Sequence, residues 1–126
     1  MKRLVAVVIA VVAMGLVPAA LASGTLSGRY KTRIAADPAL HGGLNGTWVL
    51  RFTPRHVTAS HDGKVVDRVR DRIRGDKITI FGGSGSCGKT GKYMFKLTGA
   101  KLRFTAVSDP CLPRRDVLTH GPFHKV

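Results

Sequence analysis

The sequence predicts an all-β fold, an antiparallel up-and-down barrel of about eight short strands, and three observations predict it. Apolar and polar residues alternate with period two through most of the chain beyond residue 22, the spacing of half-buried strands. Turn-forming pairs such as Pro54-Arg55, Asp62-Gly63, Gly75-Asp76 and Gly99-Ala100 punctuate those runs at short intervals, as in barrels and sandwiches. No stretch of that region carries a long 3.6-residue apolar period, so no amphipathic helix of real length is expected. Closing the sheet removes its exposed edges, which favours the barrel.

The elements follow in order. Thr25 to Ile34 carries Leu26, Tyr30 and Ile34 among polar residues and reads as a first strand. Asp37 to Leu40 is expected to form one helical turn before His41-Gly42-Gly43. Gly46 to Thr53 is rich in β-formers, with Trp48, Leu50 and Phe52 on one face. His56 to Ser60 returns after Pro54-Arg55, and Asp62-Gly63 is a strong hairpin signal. Lys64 to Arg74 then sets Arg68, Arg70, Arg72 and Arg74 on one face and Val65, Asp67, Val69, Asp71 and Ile73 on the other. A helix would scatter those arginines around its circumference, so period two assigns a strand. Lys77 to Phe81, Lys92 to Leu97 and Lys101 to Val107 are further strands. Gly82 to Gly91 is a glycine-rich loop, Asp109 to Pro113 is irregular, Arg114 to Thr119 is a helical turn, and Phe123 to Val126 closes the chain. No repeat, linker or second domain is visible.

The N-terminus differs in kind. Lys2 and Arg3 precede an apolar run from Leu4 to Val17, Pro18 ends it, and Ala20-Leu21-Ala22 forms a small-x-small site. This is the three-part pattern of a secretory signal peptide. A membrane anchor is the alternative, but a spanning helix needs roughly 20 apolar residues. Residues 1–22 are therefore expected to be removed and 23–126 to form one domain, secreted or held in the cell envelope with no transmembrane segment.

Export bears on the two cysteines, Cys87 and Cys111. Disulfides persist in oxidising compartments, and a domain this small gains from a cross-link, so a Cys87–Cys111 disulfide is expected. Metal ligation is the alternative, but two cysteines without nearby histidines make a poor zinc set.

Charge is lopsided. The chain has 21 Lys and Arg against 7 acidic residues, all Asp. Losing Lys2 and Arg3 would leave 19 against 7, a net charge of +12. Such an excess attracts anionic surfaces, the cell envelope among them, without naming a partner. The Arg68, Arg70, Arg72 and Arg74 stripe is the candidate polyanion face. It lacks the aromatics of base-stacking modules, so no specific nucleic acid is expected, and a solvated outer wall is the simpler reading.

Catalytic and cofactor signals are weak. Gly83 to Thr90 fits the phosphate-loop spacing G-x-x-x-x-G-K-[ST]. Such a loop must open a helix, whereas Gly91 and an alternating Tyr93-Met94-Phe95 strand follow. The five histidines form no metal-ligand pattern, and no serine sits in a nucleophile elbow. Asp67 and Asp71 share a strand face with Val65, Val69 and Ile73, and are expected to pair with cross-strand Lys or Arg, or else to line a polar cavity. No enzyme activity, metal or cofactor is expected, and the chain reads as a monomer.

Gly46-x-Trp48 opening a strand, Gly91-Lys92-Tyr93-Met94-Phe95-Lys96-Leu97, and the ending Leu102-x-Phe104 … Asp109-x-Cys111-x-x-Arg114-Arg115 … Leu118 … Pro122-Phe123 together resemble the small secreted bacterial lipocalin-like domains of the calycin superfamily. The likeness spans Leu26 to Val126. It differs in its shortness and in placing G-x-W after the first strand. The resemblance implies a binding barrel for a small, largely apolar ligand, with Trp48 at the barrel floor crossed by Arg114 or Arg115. Trp48, Leu50, Phe52, Tyr93, Phe95 and Phe104 would then line the interior, or simply fill it as core. A structural or protease-inhibiting barrel at the cell surface is the second function the resemblance offers.

Overall fold

The computed structural model describes residues 26–35, 42–83 and 85–126. The expected leader and the turn over 37–40 lie outside the described residues. Eight strands run in chain order: β1 (Gly28–Ile34), β2 (Gly46–Thr53), β3 (His56–His61), β4 (Lys64–Arg74), β5 (Lys77–Phe81), β6 (Gly91–Thr98), β7 (Lys101–Ser108) and β8 (Phe123–Lys125). Each pairs antiparallel with its successor, and β8 closes on β1 through Tyr30 opposite Lys125 and Lys31 opposite His124. A closed up-and-down barrel is the fold the alternation predicts.

Turn chemistry sets the hairpin registers. Asp62 and Gly63 both hold positive φ, 50° and 86°, which a two-residue turn matched to strand twist requires. A helix of eight residues, α1 (Leu112–Thr119), lies between β7 and β8. It starts two residues earlier than the sequence suggests. Pro113 sits in the first turn, where a missing N–H costs nothing, so this proline admits a helix that it would break further in.

One expectation fails on β4. The register against β3 slips between Ala59 and Ser60: Ala59 faces Asp67, Ser60 faces Val65, and Val66 has no opposite residue. A bulge of this kind shifts the side-chain alternation. Val65 is consequently 66% exposed instead of sharing the interior with Val69 and Ile73.

The interior divides into two halves. Aromatic rings from β1, β2, β6, β7 and β8 pack edge-to-face, with centroids 5.8 Å apart for Tyr30 and Phe52, 6.2 Å for Tyr93 and Phe104, and 5.9 Å for Phe104 and Phe123. This geometry sets the positive edge of one ring against the negative face of the next. Opposite them, β3 to β5 contribute the smaller Val57, Ala59, Val69, Ile78 and Ile80. That half holds less side-chain volume.

The two ends also differ. Tight turns after β2, β4 and β6 make one end open and short-looped. At the other end lie the short β3–β4 turn and the longer β1–β2, β5–β6 and β7–β8 connections, the last carrying α1. A Cys87–Cys111 disulfide ties the β5–β6 loop to the start of α1, with Cα atoms 5.0 Å apart and a separation of 24 positions in sequence. Closing a loop of that length restricts the unfolded chain and contributes about 3 kcal/mol in the entropic model. Cys87→Ser/Cys111→Ser is expected to melt well below the oxidised protein and together with the wild type in reductant. Coincident melts of all three would remove the disulfide from the account of stability.

Candidate functional site

Beneath α1 the hollow half of the barrel holds a pocket of about 260 Å³ that opens to solvent beside the half-exposed Val66. Its walls come from alternate positions of four neighbouring strands: Trp48 and Leu50 on β2, Val57 and Ala59 on β3, Val69 on β4 and Ile80 on β5. Val117 and Leu118 of α1 roof it, and both are buried. The ionisable residues on the wall are Asp67 and Arg114. Trp48 is held at the edge by its indole N–H, which donates to the Leu44 carbonyl at 2.8 Å. The His61 ring stacks on it, 4.2 Å between centroids and 8° from parallel.

The roof is fastened by a buried polar cluster. The Asp109 side chain has no solvent exposure and that of Arg114 has 10%. Arg114 meets both oxygens of Asp109, Nε to Oδ2 and Nη2 to Oδ1 at 2.7 Å each. Two of its three remaining hydrogens go to the carbonyls of Cys87 at 3.1 Å and Lys89 at 2.8 Å. The Tyr93 hydroxyl donates to Asp109 Oδ2, and the Cys111 N–H donates to Oδ1 at 2.9 Å. A planar fork matching a carboxylate is the strong form of such a pair. Gly91 makes room for it: a Cβ there would lie 2.7 Å from Asp109 Oδ2 and 2.9 Å from Arg114 Nη2.

Proton affinities follow from this packing. Burial works to raise the Asp109 carboxyl, but the hydrogen bonds from Arg114, Tyr93 and the Cys111 amide outweigh it and hold the group below the usual carboxylate range. Burial, followed by the adjacent Asp109, pushes the Tyr93 hydroxyl far above its ordinary value.

Of the six residues expected to line the interior, Trp48 and Leu50 border the cavity. Phe52, Tyr93, Phe95 and Phe104 belong to the buried core. Val57, Ala59, Val69 and Ile80 were not singled out, although the same period-two pattern carries them; the α1 contribution has no comparable local signal. Arg114 and Trp48 meet as walls of one cavity. Arg114 is directed to Asp109, Arg115 is exposed, and the ring over Trp48 is that of His61.

Asp67 and Asp71 do not form the cross-strand pairs expected of them. Among the described residues Arg114–Asp109 is the side-chain ion pair between an Arg or Lys and an Asp, and His61 Nε2 lies 3.6 Å from Asp62 Oδ2. Strand alternation explains it, because Arg68, Arg70, Arg72 and Arg74 all project from the exposed face of β4 while Asp71 turns inward. Asp67 Oδ1 instead accepts the Arg68 N–H at 2.9 Å. Asp71 is 9% exposed, and its buried Oδ1 has no hydrogen-bond partner. It lies at the open end, beside a second hollow of about 640 Å³ bordered by Leu26, Pro54, Ile73 and Phe81. Burial raises its carboxyl above the ordinary range, with His56 opposing.

The glycine-rich loop makes a short 3₁₀ turn at Gly85–Gly88 and passes into β6 at Gly91. No helix starts there, so the phosphate-loop spacing lacks the helix N-terminus on which such a loop depends. Of the histidines, His120 and His124 are exposed, and His56 and His61 are half-buried. His41 lies outside the described residues.

No family model, curated protein or solved structure matches this chain.

Removing one partner of a buried pair leaves an uncompensated charge, at a cost of roughly 3–5 kcal/mol. Arg114→Met is therefore expected to destabilise the protein by about that amount, and Asp109→Asn/Arg114→Met by less than the two single changes combined. Additive effects in chemical unfolding would show that the groups are not coupled. The pH dependence has a definite sign. A lowered Asp109 contributes stability that is present above its unfolded value, roughly pH 4, and lost as pH falls through the folded one. A raised Tyr93 contributes stability present below roughly pH 10 and lost as pH rises beyond it. Tyr93→Phe should flatten the alkaline limb of the stability profile; an unchanged limb would assign it to another group. Asp71→Leu removes a buried carboxylate whose Oδ1 lacks a hydrogen-bond partner and is expected to stabilise by about 1–3 kcal/mol at neutral pH. A lower melting temperature would show that Asp71 has a partner in solution.

Proposed function

We propose that this chain is an exported lipocalin-like barrel that binds a small, largely apolar ligand under α1, without chemistry on the ligand. The cavity carries the reading. About 260 Å³ exceeds the ~150 Å³ of a dry apolar void that takes up benzene. It falls just short of the roughly 300–1,000 Å³ usual for ligand pockets, so a compact molecule is indicated. An apolar wall with few polar groups suits such a ligand. Arg114, the cation on that wall, spends its hydrogens on Asp109 and two carbonyls, which leaves little to recognise an anionic headgroup. Half-exposed Val66 on the wall gives the ligand a way in at the β4 bulge, since the helix above is fastened.

Export is supported by the leader pattern of residues 1–22 and by the Cys87–Cys111 disulfide. No helix among the described residues is long and apolar enough to cross a membrane.

Native mass spectrometry of protein from its own host is expected to find a co-purifying small molecule. A fluorescent apolar probe should bind the stripped protein, and Ala59→Phe, which fills the cavity, should weaken that binding at least tenfold without lowering the melting temperature greatly. A clean apo mass in every preparation, with probe binding indifferent to Ala59→Phe, would overturn the proposal.

A further inference from the structure

The barrel wall carries its charge in an arrangement that no internal contact explains. Three pairs of like-charged residues stand directly opposite each other across neighbouring strands: Arg29 and Arg51, Arg74 and Lys77, and Lys96 and Arg103. All six side chains are exposed. Directly opposed like charges destabilise a sheet; Asp76 stands in the turn beside the Arg74–Lys77 pair, but among the described residues none of the six cations takes part in an ion pair. Among the described residues no acidic side chain stands on the outer wall. Asp67 and Asp71 turn inward, Asp109 is buried in the cluster beneath α1, Asp62 and Asp76 lie at hairpin turns, and Asp116 is on α1. The pairs lie on β1–β2, β4–β5 and β6–β7, so cations outside any ion pair run around the circumference.

Along β4 the exposed Arg68, Arg70, Arg72 and Arg74 add a row parallel to the strand. Alternate residues of a strand are about 6.6 Å apart, within a Debye length of about 10 Å at 0.1 M salt. Their fields therefore add, and an anion chain laid along the row meets several cations at once.

We propose that the outer wall binds a flexible, linear, polyphosphate-type anion by charge alone. Two features select this partner. A flat anionic surface would reach one sector of the wall, whereas a flexible chain can follow cations around it. A nucleic acid would want exposed aromatic rings on which to stack bases, yet Phe81 on this face is half-buried and covered by Arg70, whose guanidinium carbon is 5.0 Å from the ring centroid. The inference is independent of the cavity and of what the cavity holds.

The test is binding of long-chain inorganic polyphosphate to the oxidised protein across a salt series, with poly(dT) and vesicles of anionic lipid in parallel. Polyphosphate is expected to bind, with log K falling against log salt at a slope of about −3. That is the value for roughly four phosphates on a flexible strand, and it amounts to a loss of about fifty-fold between 50 and 200 mM. Arg68→Gln/Arg70→Gln/Arg72→Gln should weaken binding at least tenfold and flatten the slope. Lys64→Gln/Lys89→Gln/Arg115→Gln removes the same charge from the helix-closed end and should cost less than threefold. Equal losses in the two variants would reduce the effect to net charge and overturn the proposal. So would tighter binding of poly(dT) than of polyphosphate, vesicle binding without polyphosphate binding, or no binding at 50 mM salt.

Discussion

The carboxylate of Asp109 organises the closed end of the barrel. It lies past the end of β7, yet it gathers a hydroxyl from β6, a guanidinium from α1 and the amide of Cys111. Through Arg114 it also reaches the carbonyls of the β5–β6 loop. A buried anion is costly unless it is fully partnered, and here each partner comes from a different segment. The site is therefore satisfied only when β6, the β5–β6 loop and α1 are all in place. The disulfide links two of those segments covalently, so polar cluster and cross-link enforce one geometry. Gly91 is part of the same constraint, since any larger residue would occupy the space the pair needs.

With the roof held in this way, the cavity follows from unequal filling. Edge-to-face rings occupy the β6–β8 side, while Val57, Ala59 and Val69 face them with less bulk. In a closed barrel the backbone cannot collapse onto the smaller side chains, because each strand is held on both edges. Space left by short residues therefore persists as a cavity. The bulge at Val66 contributes as well, because it brings Val66 and Asp67 to the cavity wall and turns Val65 to solvent.

Alternation sorts charge as strictly as it sorts hydrophobicity. On β4 the same period that sends the arginines outward sends Asp71 inward, away from every cation of its own strand. The result is a cationic wall around an interior whose acidic groups are either fully partnered, as at Asp109, or lack a partner, as at Asp71 Oδ1. Both departures from ideal electrostatics, opposed cations outside and an orphan oxygen inside, cost stability. The buried cluster and the cross-link stand on the other side of that balance.

The strands could be read from sequence almost to the residue, as at Gly46–Thr53 and Lys64–Arg74, because a strand's signature is its own alternation and its flanking turns. Closure was predicted as well, and the disulfide followed from there being two cysteines in a chain with a leader pattern. One wall of the cavity was legible for the same reason: Trp48 and Leu50 belong to a recognisable inward face. The rest depends on contacts that no local period specifies. Asp109 is only five residues from Arg114, yet nothing there announces that the two pair instead of Arg114 crossing Trp48, and nothing near Val66 announces a bulge. Nor does β4 by itself reveal that Asp71 lacks a partner. Periodicity is a local property and specifies which face a side chain takes. Which groups share that face, and how much space they leave, is set only when the eight strands close and α1 is seated over them.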